Sequence, residues 1–216
     1  NVRLTSTRGT YTKIDYDYRE TYTTKFIDVS SDDDPAEETV TEQVTDPIEI
    51  VRRVIQYDGV KAKHTLFDNK LDAVKIIDFN DNLSMFDSYI MYDENHKVLQ
   101  TKDYRNLITL YEYDTNGNQT GAKMYSLNSL SLLTRSECEK DAYGKITKEY
   151  DPRYASPFNN GSFYTEYEDD SNCGMRIGEI APNNQAYNYE YDANKRQTAL
   201  TATNINNSTT SITNRL

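Results

Sequence analysis

The sequence is poor in the residues that build metal, redox and catalytic sites. Its 216 residues include two cysteines, two histidines and no tryptophan. Cys138 and Cys173 have neither the CxxC spacing of a redox site nor enough histidine partners for zinc, so two free thiols and one disulfide both stay open. His64 and His96 belong to no catalytic motif. We therefore expect no catalytic residue, no metal site and no cofactor.

Glycine, proline and long apolar runs are also scarce. Eight glycines and five prolines are no excess over ordinary usage, which excludes collagen-like and linker-like chains. No apolar segment reaches the roughly 18 to 20 residues of a membrane span, and no signal peptide opens the sequence. Because the chain begins with Asn1 rather than Met, we expect it to be processed or excerpted. With so little glycine, the turns must come largely from Asn and Asp.

Positive charge is the next deficit, since the formal net charge is −11. Residues 28–49 hold nine of the 35 carboxylates and no Lys or Arg, which leaves the rest of the chain close to neutral. No stretch forms the basic stripe that nucleic-acid binding requires, and nothing attracts the chain to anionic membranes. We expect neither nucleic acid nor a membrane span among its partners.

Tyrosine is abundant, and it recurs in a phrase that repeats from residue 57 onward. The phrase is an aromatic or apolar residue, then Asp, two variable residues, a turn residue and a polar residue. The acidic positions 58, 78, 93, 114, 141, 168 and 192 are 15 to 27 residues apart, which suits one β-hairpin per repeat. The residues expected to form these structural turns are Tyr57, Asp58, Asp78, Tyr92, Asp93, Tyr113, Asp114, Gly117, Asp141, Gly144, Tyr167, Tyr191 and Asp192.

The chemistry of this phrase favours a tight turn between two strands. An Asp side chain can accept hydrogen bonds from backbone N–H groups that follow it, and Gly or Asn tolerates the positive φ that comes next. Tyr187, Tyr189 and Tyr191 are two residues apart, so they should project from one face of a strand. We expect stacked hairpins to align such rings in ladders.

Three regions are predicted. Residues 1–27 form a leading β segment, residues 28–49 form an acidic loop or linker that contains Pro35 and Pro47, and residues 50–216 form the β-hairpin array.

On these tyrosine-aspartate turns, residues 57 to about 203 resemble the Rhs/YD-repeat family. The resemblance has departures, because Asp81, His96 and Lys195 replace the motif's Gly and Glu168 replaces its Asp. It implies an all-β fold in which antiparallel hairpins form a continuous spiralling sheet, as in bacterial toxin shells and teneurins. It also implies a secreted or cell-surface protein whose partners are flanking repeats and an encapsulated or tethered C-terminal effector.

Many bacterial members of that family release their cargo through a self-cleaving segment with Asp-Pro and Gly motifs. Asp151-Pro152-Arg153 is the candidate here, but no Gly follows at the family's position. We interpret it as an ordinary turn with Pro at its second position.

Two other functions remain open. Exposed tyrosine ladders and Asn-rich turns would suit a module that binds glycans or a cell-surface receptor. A cleft with two carboxylates at glycosidase separation would instead indicate a glycan-processing enzyme. Large exposed aromatic patches would favour the binding module, and rings turned onto a cavity would favour the shell.

Overall fold

A computed structural model describes residues 5–7, 10–31, 38–59, 61–79, 85–151, 164–171, 173–205 and 211–215. These residues form 19 β-strands joined by turns, and they contain no α-helix. Nowhere in these ranges is there a helix long and apolar enough to cross a membrane. Each strand pairing determined is antiparallel, which confirms the all-β class with repeated antiparallel hairpins.

The strands belong to two compact units, residues 1–111 with 123–134 and residues 112–122 with 135–216. The strands of the first unit are β1 (Thr5–Thr7), β2 (Thr10–Asp15), β3 (Glu20–Tyr22), β4 (Lys25–Ser31), β5 (Glu38–Val44), β6 (Ile48–Tyr57), β7 (Ala62–Asp68), β8 (Ala73–Phe79), β9 (Met85–Tyr92) and β10 (Val98–Lys102). Three strands contribute residues to both units: β11 (Leu107–Tyr113), β12 (Gln119–Ser126) and β13 (Ser131–Lys140). The second unit continues with β14 (Ile146–Tyr150), β15 (Tyr164–Asp169), β16 (Arg176–Ile180), β17 (Gln185–Tyr191), β18 (Gln197–Asn204) and β19 (Ser211–Arg215).

The first unit is an antiparallel sheet with one hairpin outside it. The strands pair in the order β1, β2, β6, β7, β8, β9, β10 and β11, and β3 also pairs with β6. Strands β4 and β5 pair only with each other among the described residues. From β6 onward, each strand pairs with the next one along the chain, as a succession of hairpins requires.

The core of the first unit forms where the β4–β5 hairpin contacts the sheet. Phe26 and Ile27 of β4 are at most 1% exposed and cluster with Ile108, Tyr125 and Leu127. The amide of Gln100 bonds both backbone groups of Ile27: Nε2 donates to the carbonyl at 2.7 Å, and Oε1 accepts from the N–H at 3.3 Å. A second cluster consists of Ile50, Leu66 and Val74.

The structure differs from the acidic loop or linker expected at residues 28–49. Val29 of β4 lies opposite Val40 of β5, and Nζ of Lys25 forms an ion pair with Oε1 of Glu42 at 2.7 Å. The acidic residues Asp28 and Glu42 are exposed, so exposed carboxylates accompany these strands rather than exclude them. Residues 32–37 lie outside the described ranges, and the division into three regions stays a prediction.

The second unit is a meander in which β13 to β19 pair consecutively. The pairing shifts by one residue beside several turns, for example at Glu139 and Lys140, at Glu168 and Asp169, and at Glu190 and Tyr191. Such shifts are β-bulges, which accompany turns whose fourth residue has a left-handed backbone.

We expect the substitution Ile108→Ala to lower the free energy of unfolding by about 2 to 5 kcal/mol, because Ile108 is fully buried and the vacated volume would remain as a cavity. Urea denaturation followed by circular dichroism measures this change. Leu133→Ala is the control, since Leu133 is 54% exposed and should change stability by less than about 0.5 kcal/mol. Equal losses for the two variants would contradict the assignment of the core.

Candidate functional site

The recurring turn is a five-residue unit in which Asp occupies position 1 and a residue with positive φ occupies position 4. In the Asp141 turn, the N–H of Asp141 donates to the Lys145 carbonyl at 2.9 Å, and the N–H of Gly144 donates to the Asp141 carbonyl at 3.0 Å. Oδ1 of Asp141 accepts from the N–H groups of Tyr143 at 2.8 Å and Lys145 at 2.9 Å. One carboxylate therefore satisfies the backbone donors at positions 3 and 5.

The same backbone arrangement recurs along the chain. The turns that share it and begin with Asp are those at Asp68, Asp93, Asp103, Asp114, Asp141 and Asp192, and a turn that begins at Ala181 has the same two backbone bonds. Position 4 is Gly in two of them, with φ of 85° at Gly117 and 81° at Gly144. It is not Gly in others, since His96 and Lys195 each have φ of 64°. The left-handed backbone alone thus does not require Gly here.

Most of the predicted turn residues lie at these positions. Tyr57, Tyr92, Tyr113 and Tyr191 end their strands, each directly before an Asp that begins a turn. The turn at Asp58 is shorter, because the N–H of Asp58 donates to the Lys61 carbonyl.

Two predicted turn residues lie inside strands instead. Asp78 belongs to β8 and lies opposite Phe86 of β9, and residues 80–84 are outside the described ranges. Tyr167 belongs to β15, and the turn that follows begins at Asp170 rather than Glu168. Oδ1 of Asp170 accepts from the Cys173 N–H at 2.8 Å, and Gly174 has φ of 67°. This turn has one residue more between its Asp and its Gly than the Asp141 turn has, so the tyrosine-aspartate phrase places the start of the turn two residues too early.

Sequence reasoning missed three turns, at Asp68, Asp103 and Ala181. No tyrosine precedes these positions, and Ala181 lacks a carboxylate. Phe67 and Asp68 fit the start of the phrase, but Leu71 occupies position 4 in place of a turn residue. Asn at position 4, as in Asn106 and Asn184, was the available signal, since Asn tolerates positive φ. The turns at 93, 103 and 114 follow one another by 10 or 11 residues, so the phrase marks every second turn.

Hydrogen bonding lowers the pKa of the carboxyl group in three of these turns. The N–H of Lys97 lowers the pKa of Asp93, and the side chain of Asn118 lowers the pKa of Asp114. The N–H and guanidinium of Arg196 lower the pKa of Asp192. Each of these groups stabilises the carboxylate relative to the protonated acid.

A glutamate interrupts the tyrosine row that crosses β15 to β17 in the second unit. Glu179 of β16 lies opposite both Tyr167 of β15 and Tyr187 of β17, so the expected ladder of rings is interrupted at β16. The hydroxyl of Tyr167 donates to Glu149 at 2.9 Å, and the hydroxyl of Tyr189 donates to Glu179 at 3.0 Å. Partial burial and the bond to Glu149 raise the pKa of Tyr167 to about 12. These rows are hydrogen-bonded surfaces rather than stacked rings.

Direct contacts between tyrosine rings occur at fewer places. The rings of Tyr11 and Tyr57, on β2 and β6, have centroids 5.3 Å apart. The rings of Tyr150 and Tyr164, on β14 and β15, have centroids 5.7 Å apart. Both pairs lie directly across neighbouring strands.

The two histidines and the two cysteines lie on four different strands or turns. His64 of β7 packs on Phe79 at 4.8 Å, and burial lowers the pKa of His64. Cys138 is half-buried in β13, Cys173 is exposed in the Asp170 turn, and both are free thiols. The described residues contain no group of three or more His, Cys, Asp or Glu side chains placed to hold a metal. Pro152 and Arg153 of the candidate cleavage segment lie outside the described residues.

An open groove of about 780 Å³ crosses five strands of the first unit. Its floor includes a row of residues that lie opposite one another on successive strands: Thr12, Gln56, Lys63, Asp78 and Phe86. Phe86 makes an edge-to-face contact with Tyr104 at 4.7 Å, and Tyr104 is 55% exposed. The groove thus combines polar side chains with an aromatic end.

Comparison with known proteins shows a likeness in fold to toxin-complex proteins. No protein-family model matches the chain, and no curated protein matches it. A TcdB2–TccC3–Cdc42 structure matches with a TM-score of 0.60 and 12% identity over 95% of this chain and 11% of that one. The Tc holotoxin pore of Photorhabdus luminescens, with a mutation in TccC3, gives 0.58 and 13% over 76% and 10%. A TcdB2–TccC3 structure gives 0.57 and 14% over 76% and 10%.

This chain therefore spans about a tenth of the length of the proteins that share its fold. The likeness supports an Rhs/YD-repeat-like fold, as the tyrosine-aspartate turns imply.

We expect stability to fall in acid as the turn aspartates become protonated. A carboxyl whose pKa is lower in the folded state contributes stability that is complete above its unfolded pKa of about 4 and is lost as the pH falls through the folded pKa. Urea denaturation between about pH 2 and pH 7 measures this dependence.

The variants Asp93→Asn and Asp192→Asn keep a side-chain oxygen but cannot ionise, so each should flatten the acid limb of the curve. Glu94→Gln, which removes an exposed carboxylate at position 2 of the Asp93 turn, is the matched control and should leave the limb unchanged. The same flattening in all three variants would contradict a specific role for the turn carboxylates.

Proposed function

We propose that this chain is a wall segment of a large secreted or cell-surface protein that encloses or displays a C-terminal toxin or effector domain. The observation that carries the proposal is the likeness in fold to chains of the TcdB2–TccC3 toxin complex, of which this chain covers about a tenth. Its partners would be the flanking repeats and the enclosed domain.

The form of the sheet suits a wall. Consecutive hairpins contact mainly their neighbours in the chain, so an array can be extended by adding hairpins, as in other repeat proteins. In the second unit, the hydroxyl of Tyr167 donates to Glu149 and the hydroxyl of Tyr189 donates to Glu179. Hydrogen-bonded side chains of this kind stabilise a broad, partly exposed sheet rather than act on a substrate. We accordingly propose a structural and not a catalytic role.

The size and outline of the native protein that contains this chain test the proposal. Antibodies raised against residues 38–49 would be used to purify it from its source, and its size and outline would be determined by negative-stain electron microscopy. We expect a polypeptide several times larger than 25.0 kDa with a hollow outline. Limited proteolysis should cleave an enclosed domain only after the particle is denatured. A free monomer near 25 kDa would overturn the proposal.

The groove of the first unit favours a second candidate function, the binding of glycans. Gln56, Lys63 and Asp78 are exposed side chains that can exchange hydrogen bonds with hydroxyl groups, and Phe86 offers an apolar ring beside them. Ligand sites commonly combine an apolar surface with a few convergent polar groups. This groove has that composition, although it is open along its length.

Oligosaccharide arrays probed with the chain test this candidate. If the groove binds glycans, Gln56→Ala and Phe86→Ala should each weaken binding about tenfold, because each removes a direct contact. Tyr143→Ala is the matched control, since Tyr143 is 92% exposed at a turn of the other unit. Absence of binding to any glycan, or equal loss in the control, would eliminate the candidate.

A further inference from the structure

Turns at the same edge of each meander contact one another through the last residue of one turn and the positive-φ residue of the next. In a meander, alternate turns lie at the same edge of the sheet. The Asp114, Asp141 and Asp170 turns form such a series in the second unit, and the Asp68 and Asp93 turns form one in the first. In three pairs, the side chain of the last residue of one turn reaches the residue with positive φ in the next turn. That residue is position 4 in the Asp93 and Asp141 turns and position 5 in the longer Asp170 turn.

The first pair joins Asn118 to Gly144. Nδ2 of Asn118 donates to Oδ2 of Asp114 at 3.0 Å, which fixes the amide within its own turn. A Cβ atom added to Gly144 would lie 2.9 Å from Oδ1 of Asn118, closer than such atoms approach in proteins. Gly144 therefore leaves the space that Asn118 fills.

The second pair joins Lys145 to Gly174. Nζ of Lys145 donates to the carbonyl of Gly174 and lies 3.4 Å from the carboxylate of Asp169. A Cβ atom on Gly174 would lie 2.6 Å from that Nζ. Because a lysine amine is the end of a flexible side chain, it could move away, but it would then lose its bond to the carbonyl.

The third pair has a different chemistry. Position 5 is Asp72, whose side chain is as long as that of Asn118 but carries a carboxylate, and position 4 is His96 rather than Gly. Nδ1 of His96 lies 2.9 and 2.8 Å from the two carboxylate oxygens of Asp72. A carboxylate in the first turn thus faces an imidazole in the second turn.

The opposite edge also uses position 4 as a contact between turns. The carbonyl of Asn106 accepts from the N–H of Leu127 at 3.0 Å, and the carbonyl of Asn184 accepts from the N–H of Ile205 at 2.9 Å. At both edges, the residue with positive φ is the one that faces the neighbouring turn.

We infer that the last residue of one turn and the residue with positive φ in the next turn are a matched pair that determines which hairpins can stack in sequence. A side chain that is held by hydrogen bonds against the next turn requires Gly there, as at Asn118 and Lys145, whereas the carboxylate of Asp72 accepts a histidine. The pairing explains why Gly stands at residues 144 and 174 although His96 has a similar backbone. It holds whether or not the chain is part of a shell.

A double-mutant cycle on Asn118 and Gly144 tests the inference in the whole 216-residue chain. Gly144→Ala is measured in the native chain and in the Asn118→Ala chain by urea denaturation. Both comparisons contain the same cost of placing Ala at φ 81°, so their difference reports only the contact between the turns. We expect the folding equilibrium constant to fall about tenfold more in the native chain than in the Asn118→Ala chain.

Amide hydrogen exchange of residue 144 gives a local reading, since this N–H bonds the Asp141 carbonyl. Gly144→Ala should speed its exchange, and Asn118→Ala should restore protection. Lys195→Ala is the matched control, because it places Ala at a position 4 that is already non-glycine, and it should change stability less than twofold.

Each outcome decides the question. Equal losses in the two backgrounds would overturn the inference, as would failure of both the single and the double variant to fold. If Gly144→Ala alone does not fold but the double variant does, the inference is supported. A parallel cycle with Lys145→Ala and Gly174→Ala should show a smaller coupling of the same sign.

Discussion

The bond on which this structure depends is the one between an aspartate carboxylate and two backbone N–H groups of its own turn. It closes a five-residue turn without proline and, at several positions, without glycine. Because the turn places one strand beside the next with a bulge at its base, it also sets which side chains face each other across the sheet. The glutamate-tyrosine rows follow from that register.

This constraint lets a polar chain fold as a sheet. The mean hydropathy is −0.85, and the largest fully buried side chains of the described residues all lie in the first unit. The second unit relies more on half-buried tyrosines whose hydroxyls reach glutamates and on cations over rings, such as Arg176 at 3.7 Å from the ring of Tyr167. Many modest contacts spread along the meander replace a single large core.

The sequence was sufficient for the fold class and for much of the turn chemistry, since both arise from local contacts. The carboxylate of Asp141 bonds residues two and four positions away, so its role is visible in the phrase itself. Contacts between distant residues were not visible. Nothing local indicates that Glu179 separates two tyrosines, that Asn118 lies over Gly144, or that Gln100 bonds Ile27. The β4–β5 hairpin was not predicted, because its carboxylates obscured the β-branched residues between them.

The place where that hairpin leaves the sheet has a consequence for how such chains diversify. Tyr22 of β3 lies directly opposite Ile48 of β6, and the N–H of Thr45 donates to the Thr24 carbonyl at 2.9 Å. The 20 residues from Lys25 to Val44 therefore form an excursion whose two ends already meet. An insertion at such a point leaves the parent sheet intact, so length variation among natural homologues should accumulate in this excursion. The few side chains of the excursion that pack on the sheet, chiefly Phe26 and Ile27, should tolerate substitution least.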